Sequence, residues 1–163
     1  MTSQEAQRPS IKQIVTFLWS IGISVRAETI NEPTFLPGIK VGGGTLIIDE
    51  SRLKYPGDLL HEAGHLAVIT PEKRLAGSVG QKAHEEMMAI AWSYAAAVHL
   101  DLEPSVVLHE SGYQGWREVF IEGLKNGSFV GVTLLEKIGL TAERSRAAEL
   151  GIEPYPHLLR WLL

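Results

Sequence analysis

The sequence predicts an α+β fold, mostly helical, with a small β-sheet lying beside one helix that carries the chemistry. Three observations carry that expectation. The segment 58 to 69 holds His61-Glu62-Ala63-Gly64-His65 between the apolar residues Leu59, Leu60, Leu66, Val68 and Ile69, which is the pattern of a buried helix. Just before it, the runs Ile39 to Val41 and Thr45 to Asp49 flank Gly42-Gly43-Gly44 and read as two short strands around a tight turn. From Gln81 to about Leu100 the chain is helical in composition and apolar almost throughout.

At 163 residues, 45% hydrophobic and 21% charged, the chain is expected to form a single domain over 9 to 163, preceded by a polar tail over 1 to 8. A net charge of -4, with its cations scattered, leaves no footprint for nucleic acid. There are no cysteines, so any transition metal must be held by His, Asp or Glu. The first residues have neither the basic start nor the apolar core of a signal peptide, and no apolar run is long enough to span a membrane. A cytoplasmic location without membrane partners is the expectation.

Each element has a local reason. Ile11, Ile14, Val15, Leu18 and Ile21 follow helical spacing from Pro9 or Ser10 to Gly22. Ser24 to Ile30 reads as a strand, and 31 to 38 as a turn-rich connection. The glycine run is not a phosphate loop, because a strand and not a helix follows it and no lysine-serine pair is present. The strand Thr45 to Asp49, coming immediately before the motif helix, offers an edge for an extended peptide. Asp58 is the expected cap of the motif helix, which runs to about Thr70-Pro71, and 72 to 80 reads as a polar loop. Met87, Met88 and Trp92 in the next helix are core residues. Helices are then expected from about Val119 to Gly127, from Val130 to Ile138, and from Ala142 to Leu150 with Thr141 as cap. The apolar tail 154 to 163 either docks on the domain or makes a subunit contact, which would give a homo-oligomer. His84, His99 and His157 read as structural histidines.

The motif helix sets two imidazoles four residues apart, so His61 and His65 share a face and can close on one metal ion. Glu62, beside that face, is placed to take a proton from a metal-bound water. A chance match to this pattern arises in on the order of one chain of this length in a few hundred. The buried flanks sharpen it, because two histidines and a glutamate inside an apolar helix need compensation that a metal supplies. Gly64 costs a helix about 1 kcal/mol relative to alanine, which points to another backbone approaching closely. A catalytic zinc has three protein ligands, and Glu85 and Glu86, at the start of the next helix, are the nearest source of the third.

These residues resemble a minimal zincin, in particular the glutamate-ligand zincins and the small ImmA/IrrE-type peptidases. That group pairs His-Glu-x-x-His with a downstream Glu-x-x-Ala and a following aromatic, matched here by Glu86-Met87-Met88-Ala89 and Trp92. The resemblance implies Glu86 as third ligand, with Glu85 the fallback, and a zincin-like domain. The likeness covers roughly 38 to 100. It departs at Ile90, where those families place Asp or Asn to support a ligand histidine, so that support is expected from another group or from backbone.

The loop His109-Glu110-Ser111-Gly112-Tyr113-Gln114-Gly115-Trp116 is rich in glycine, polar and aromatic residues. Tyr113 or His109 would donate to the oxyanion of a tetrahedral intermediate; otherwise the loop simply covers the core. The expected function is zinc-dependent hydrolysis of a peptide or protein substrate, with Glu62 as general base. Another divalent ion suits the same nitrogen and oxygen donors. The alternative is a non-catalytic, metal-stabilised binding or regulatory module.

Overall fold

The computed structural model describes residues 3 to 77 and 82 to 163, with 3 to 9 described by their backbone. Among these residues seven α-helices surround one three-stranded sheet: α1 Ser3–Ser20, β1 Ser24–Ala27, β2 Ile39–Gly42, β3 Thr45–Ile48, α2 Asp58–Ala67, α3 Pro71–Leu75, α4 Ala83–His99, α5 Arg117–Asn126, α6 Val130–Lys137 and α7 Arg144–Leu150. The α+β, mostly helical architecture with a small sheet beside the motif helix is therefore as expected.

Helix α1 starts earlier than Pro9. Glu5, Ala6, Gln7 and Arg8 are all good helix formers, so the helix extends upstream past the proline, whereas Met1 and Thr2 of the expected tail lie outside the described residues. Its inner face, Ile14, Phe17 and Leu18, is buried.

The glycine run makes the hairpin expected of it. Gly43 and Gly44 have φ of 57° and 77°, the left-handed pair that a two-residue turn between antiparallel strands requires. The sheet order is β1-β3-β2, with β1 parallel and β2 antiparallel to β3. Strand β3 is thus central, with partners on both sides. The edge nearest the motif helix belongs to β2, so the expectation that Thr45 to Asp49 presents an open edge is corrected.

Helices α2 and α4 form the core pair. A Cβ on Gly64 would stand 2.8 Å from the Ala89 carbonyl oxygen and 3.1 Å from its Cα, so the approaching backbone that Gly64 implied is that of α4. Helix α6 closes on the other side in the same way, where a Cβ on Gly131 would meet the Met87 carbonyl oxygen at 2.1 Å. Trp92, Ala89, Ala91 and Ala95 to Ala97 are fully buried between these helices.

Three boundaries differ from expectation. Asp58 is the first residue of α2 rather than its cap and its carboxylate bonds His109, while the cap position falls to Gly57, which has no side chain to bond with. The segment after α2 begins with the short helix α3, capped by the Thr70 hydroxyl, which accepts from the Lys73 amide, with Pro71 at its start. Residues 78 to 80 of the expected loop, and Gln81, the expected start of the next helix, lie outside the described residues. Glu143 caps α7; Thr141 instead forms an antiparallel bridge with Leu158 and donates its hydroxyl to the His157 carbonyl at 2.7 Å.

The C-terminal tail docks on the domain. Trp161 stands edge-on to Trp92 and Phe17, and its carbonyl accepts from Trp92 Nε1 at 2.9 Å. Leu163 donates its amide to the Ala67 carbonyl at 2.9 Å. Arg74 donates to the carbonyls of Leu66, Ile69 and Leu163, tying tail, motif helix and α3 together. No helix among the described residues is long and apolar enough to cross a membrane.

The Gly64 contact yields a prediction. Gly64→Val adds atoms against a backbone that cannot yield, so the variant should lose about 1–3 kcal/mol in urea unfolding despite valine's better helix propensity. An unchanged midpoint would mean the two helices do not meet there.

Candidate metal centre

One turn of α2 and the first turn of α4 bring three donors together. His61 Nε2 and His65 Nε2 lie 3.2 Å apart; Glu86 Oε1 is 3.2 Å from the first and Oε2 is 3.0 Å from the second. His61, His65 and Glu86 are the group among the described residues whose ligand atoms could hold a metal ion. The rings stand at 85° to each other, so both Nε2 atoms turn inward to one point. Two donors about 2.0–2.1 Å from a tetrahedral zinc are about 3.3–3.4 Å apart, which the two imidazole nitrogens approach, while Glu86 meets each of them with a different carboxylate oxygen.

The fallback ligand does not join. Glu85 is buried on a different face of α4, its Oε1 4.0 Å from His84 Nε2 and its Oε2 enclosed without a hydrogen-bond partner. Glu86 and Glu85 are neighbours in sequence, but adjacent helical positions point about 100° apart and only one can face α2.

Without an ion the three groups form a charged network. Hydrogen bonds from His61 and His65 hold the Glu86 carboxyl well below the usual carboxylate range, against its partial burial. Burial opposes protonation of His61, but the bond to Glu86 and its charge outweigh that and raise the imidazole pKa. Burial likewise raises the Glu62 carboxyl, with the neighbouring imidazoles acting in the opposite sense.

Nδ1 of His61 and of His65 is buried with no hydrogen-bond partner among the described residues. Ile90, standing where a supporting Asp or Asn would be, is buried and apolar. Support from another side chain or from backbone is therefore not what orients these rings; the packing of α2 on α4 does so.

The three donors and Glu62 open into a cleft of about 890 Å³. Its far wall is the loop between β1 and β2 together with β2 itself: Pro33, Phe35, Leu36, Ile39 and Val41, with the Glu32–Lys40 ion pair at 2.5 Å. Sequence reading saw in this loop only turn residues, because nothing in its composition says which helix it faces.

The loop 109 to 116 lies beside the start of α2. His109 Nε2 donates to Asp58 Oδ1 at 2.7 Å, and its Nδ1 accepts from the Gly112 amide at 3.2 Å. Tyr55 stacks on the imidazole at 3.9 Å, and its hydroxyl lies 2.6 Å from Ser111 Oγ. With both ring nitrogens used, His109 serves to fasten the loop, which leaves Tyr113 as the available donor of the expected pair. Burial, with the charges of Glu86 and Asp58, raises the Tyr113 hydroxyl well above its ordinary pKa, so it stays protonated. Neither residue lines the cleft. The Asp58–His109 bond was missed in sequence, where Asp58 has the ordinary position of a helix cap.

His84, His99 and His157 are all exposed, and His99 also packs against Phe17 and Trp161. Comparison of the chain with protein-family models, with curated proteins and with solved structures finds no match in any of the three.

The pKa directions set a pH dependence for the metal-free protein. His61 has a raised folded-state pKa, so the stability it brings is complete below its unfolded value of 6.5 and is lost as pH rises through the folded value. Glu86 has a lowered one, so its share is present above 4.5 and lost as pH falls. With a chelator present, thermal unfolding should occur at a higher temperature near about pH 5.5 than near about pH 8, and saturating zinc, which competes with protons for the imidazoles, should reverse the order. A chelated protein more stable at the higher pH would mean that the network is not formed.

Proposed function

We propose that the protein is a zinc-dependent peptidase of minimal zincin type. The observation that carries the reading is the convergence of His61, His65 and Glu86, whose ligand atoms lie within 4.8 Å of one another, with Glu62 in the same cleft. His61, His65 and Glu86 hold the ion. When bound, zinc lowers the pKa of a coordinated water to about 7 and polarises a carbonyl. Glu62 takes the proton of the attacking water on its carboxylate and delivers it to the leaving amine. Its raised pKa makes it a stronger base than an exposed carboxylate. Tyr113 keeps its proton but packs against the core outside the cleft lining, so the oxyanion is not assigned to it.

Strand β2 supplies the binding edge. The Asp49 amide bonds to the Gly38 carbonyl at 2.9 Å, so Gly38, Lys40 and Gly42 turn their backbone groups toward β3, and Ile39 and Val41 turn theirs outward. The Ile39 amide is taken by the Leu36 carbonyl at 3.2 Å, and among the described residues the Ile39 carbonyl and both Val41 groups are left for an extended peptide. A cleft open on this side suits a substrate site better than the closed four-ligand shell of a structural zinc.

Two experiments test the reading. Glu62→Gln should keep one zinc per chain by elemental analysis while hydrolysis of an unfolded protein such as casein falls about 10²–10⁴-fold; undiminished proteolysis would exclude the mechanism. Glu86→Ala should release zinc under dialysis that leaves it bound to the parent protein and to Glu85→Ala, and equal retention by both variants would remove Glu86 from the ligand set.

A further inference from the structure

Phe35 is 99% exposed, the most exposed large apolar side chain among the described residues, and it stands on the wall of the cleft that holds Glu62 and the three donors. Full exposure of an aromatic ring is ordinary on a loose loop, but this loop is fastened at several points. The Asp49 carboxylate accepts the Ile30 amide at 2.9 Å and is itself fixed by the Ser51 amide and hydroxyl at 3.1 and 2.6 Å. The Arg52 guanidinium donates to the carbonyls of Ile30 and Glu32. Directly around the ring, the Thr34 hydroxyl donates to the Leu36 carbonyl at 2.6 Å, and the same carbonyl receives the Ile39 amide. Gly38, with φ of 78°, closes the loop where a Cβ would meet the Leu53 amide nitrogen at 2.5 Å. A ring presented on so constrained a segment loses little freedom on contact, so the area it buries against a partner is gained almost undiminished.

The charges of the wall cancel locally, since Glu32 is paired with Lys40. What remains facing the donors is apolar: Pro33, Phe35, Leu36, Ile39 and Val41. We propose that Phe35, with Leu36, forms an apolar subsite that selects peptides carrying a bulky apolar side chain beside the bond held at the metal. The occupant is an extended peptide and not a free hydrophobic ligand, because the Ile39 carbonyl and the Val41 amide and carbonyl, unpaired among the described residues, run along the same wall. This inference rests on the peptidase reading, and it deepens that reading by naming the substrate side chain.

The test uses the zinc-loaded full chain and hydroxamates of short peptides, whose chelating group binds zinc whether or not turnover occurs. Phenylalanine and leucine hydroxamates should displace a fluorescent hydroxamate about tenfold more tightly than the alanine or glutamate compounds. Phe35→Ser, a change at a fully exposed position, should erase that preference while leaving zinc content and the alanine compound's affinity unchanged. Equal affinity across the four side chains, or a preference that survives Phe35→Ser, would overturn the subsite while leaving the peptidase reading intact. Failure of every hydroxamate to bind protein that carries its zinc would overturn both.

Discussion

The arrangement of this protein depends on how closely α2 and α4 approach. Gly64 lies directly before His65, and Ala89 lies one turn after Glu86, so the point where the two backbones nearly touch is also the point from which all three donors project. A Cβ at position 64 would stand 2.8 Å from the Ala89 carbonyl oxygen, so a larger residue at the crossing would displace α2 from α4 and carry the donors with it. Packing density and the spacing of the three side chains are here one constraint, since side chains in a close-packed core have no room to compensate for a displaced backbone.

The same crossing explains the charge distribution. Three ionisable groups sit where apolar residues fill almost every other inward position of α2 and α4. Their mutual bonds offset the loss of solvent, and the cleft leaves Glu86 partly wet, which is the compromise that lets a carboxylate stand at the head of a core helix. Around this centre the supporting contacts are made by packing and by fastened loops. Asp58 and His109 secure one side; Asp49 and Arg52 secure the other.

Much of this was legible in the sequence because it is local. Helical periodicity placed His61, Glu62 and His65 on one buried face, the glycine pair announced its hairpin, and Gly127, Gly139 and Gly151 marked where helices stop. The choice of Glu86 over Glu85 was resolved by which face of α4 meets α2, a fact of tertiary packing. What stayed hidden was non-local in the same way. Nothing in Thr45 to Ile48 says that β1 will occupy its second edge, and nothing in Asp58 distinguishes a helix cap from a partner for a histidine 51 residues away. The loop 31 to 38 reads as turns whatever it faces.

The Arg74 clamp joins residues 89 positions apart, and the Leu163 amide reaches back to Ala67 over a still longer span. During vectorial synthesis α2 therefore emerges long before the residues that secure its C-terminal end. The nascent helix must wait with its apolar flanks uncovered, and loop closure over such a distance is slow and entropically costly. The end of α2 that carries His65 is thus secured only once residue 163 has joined it.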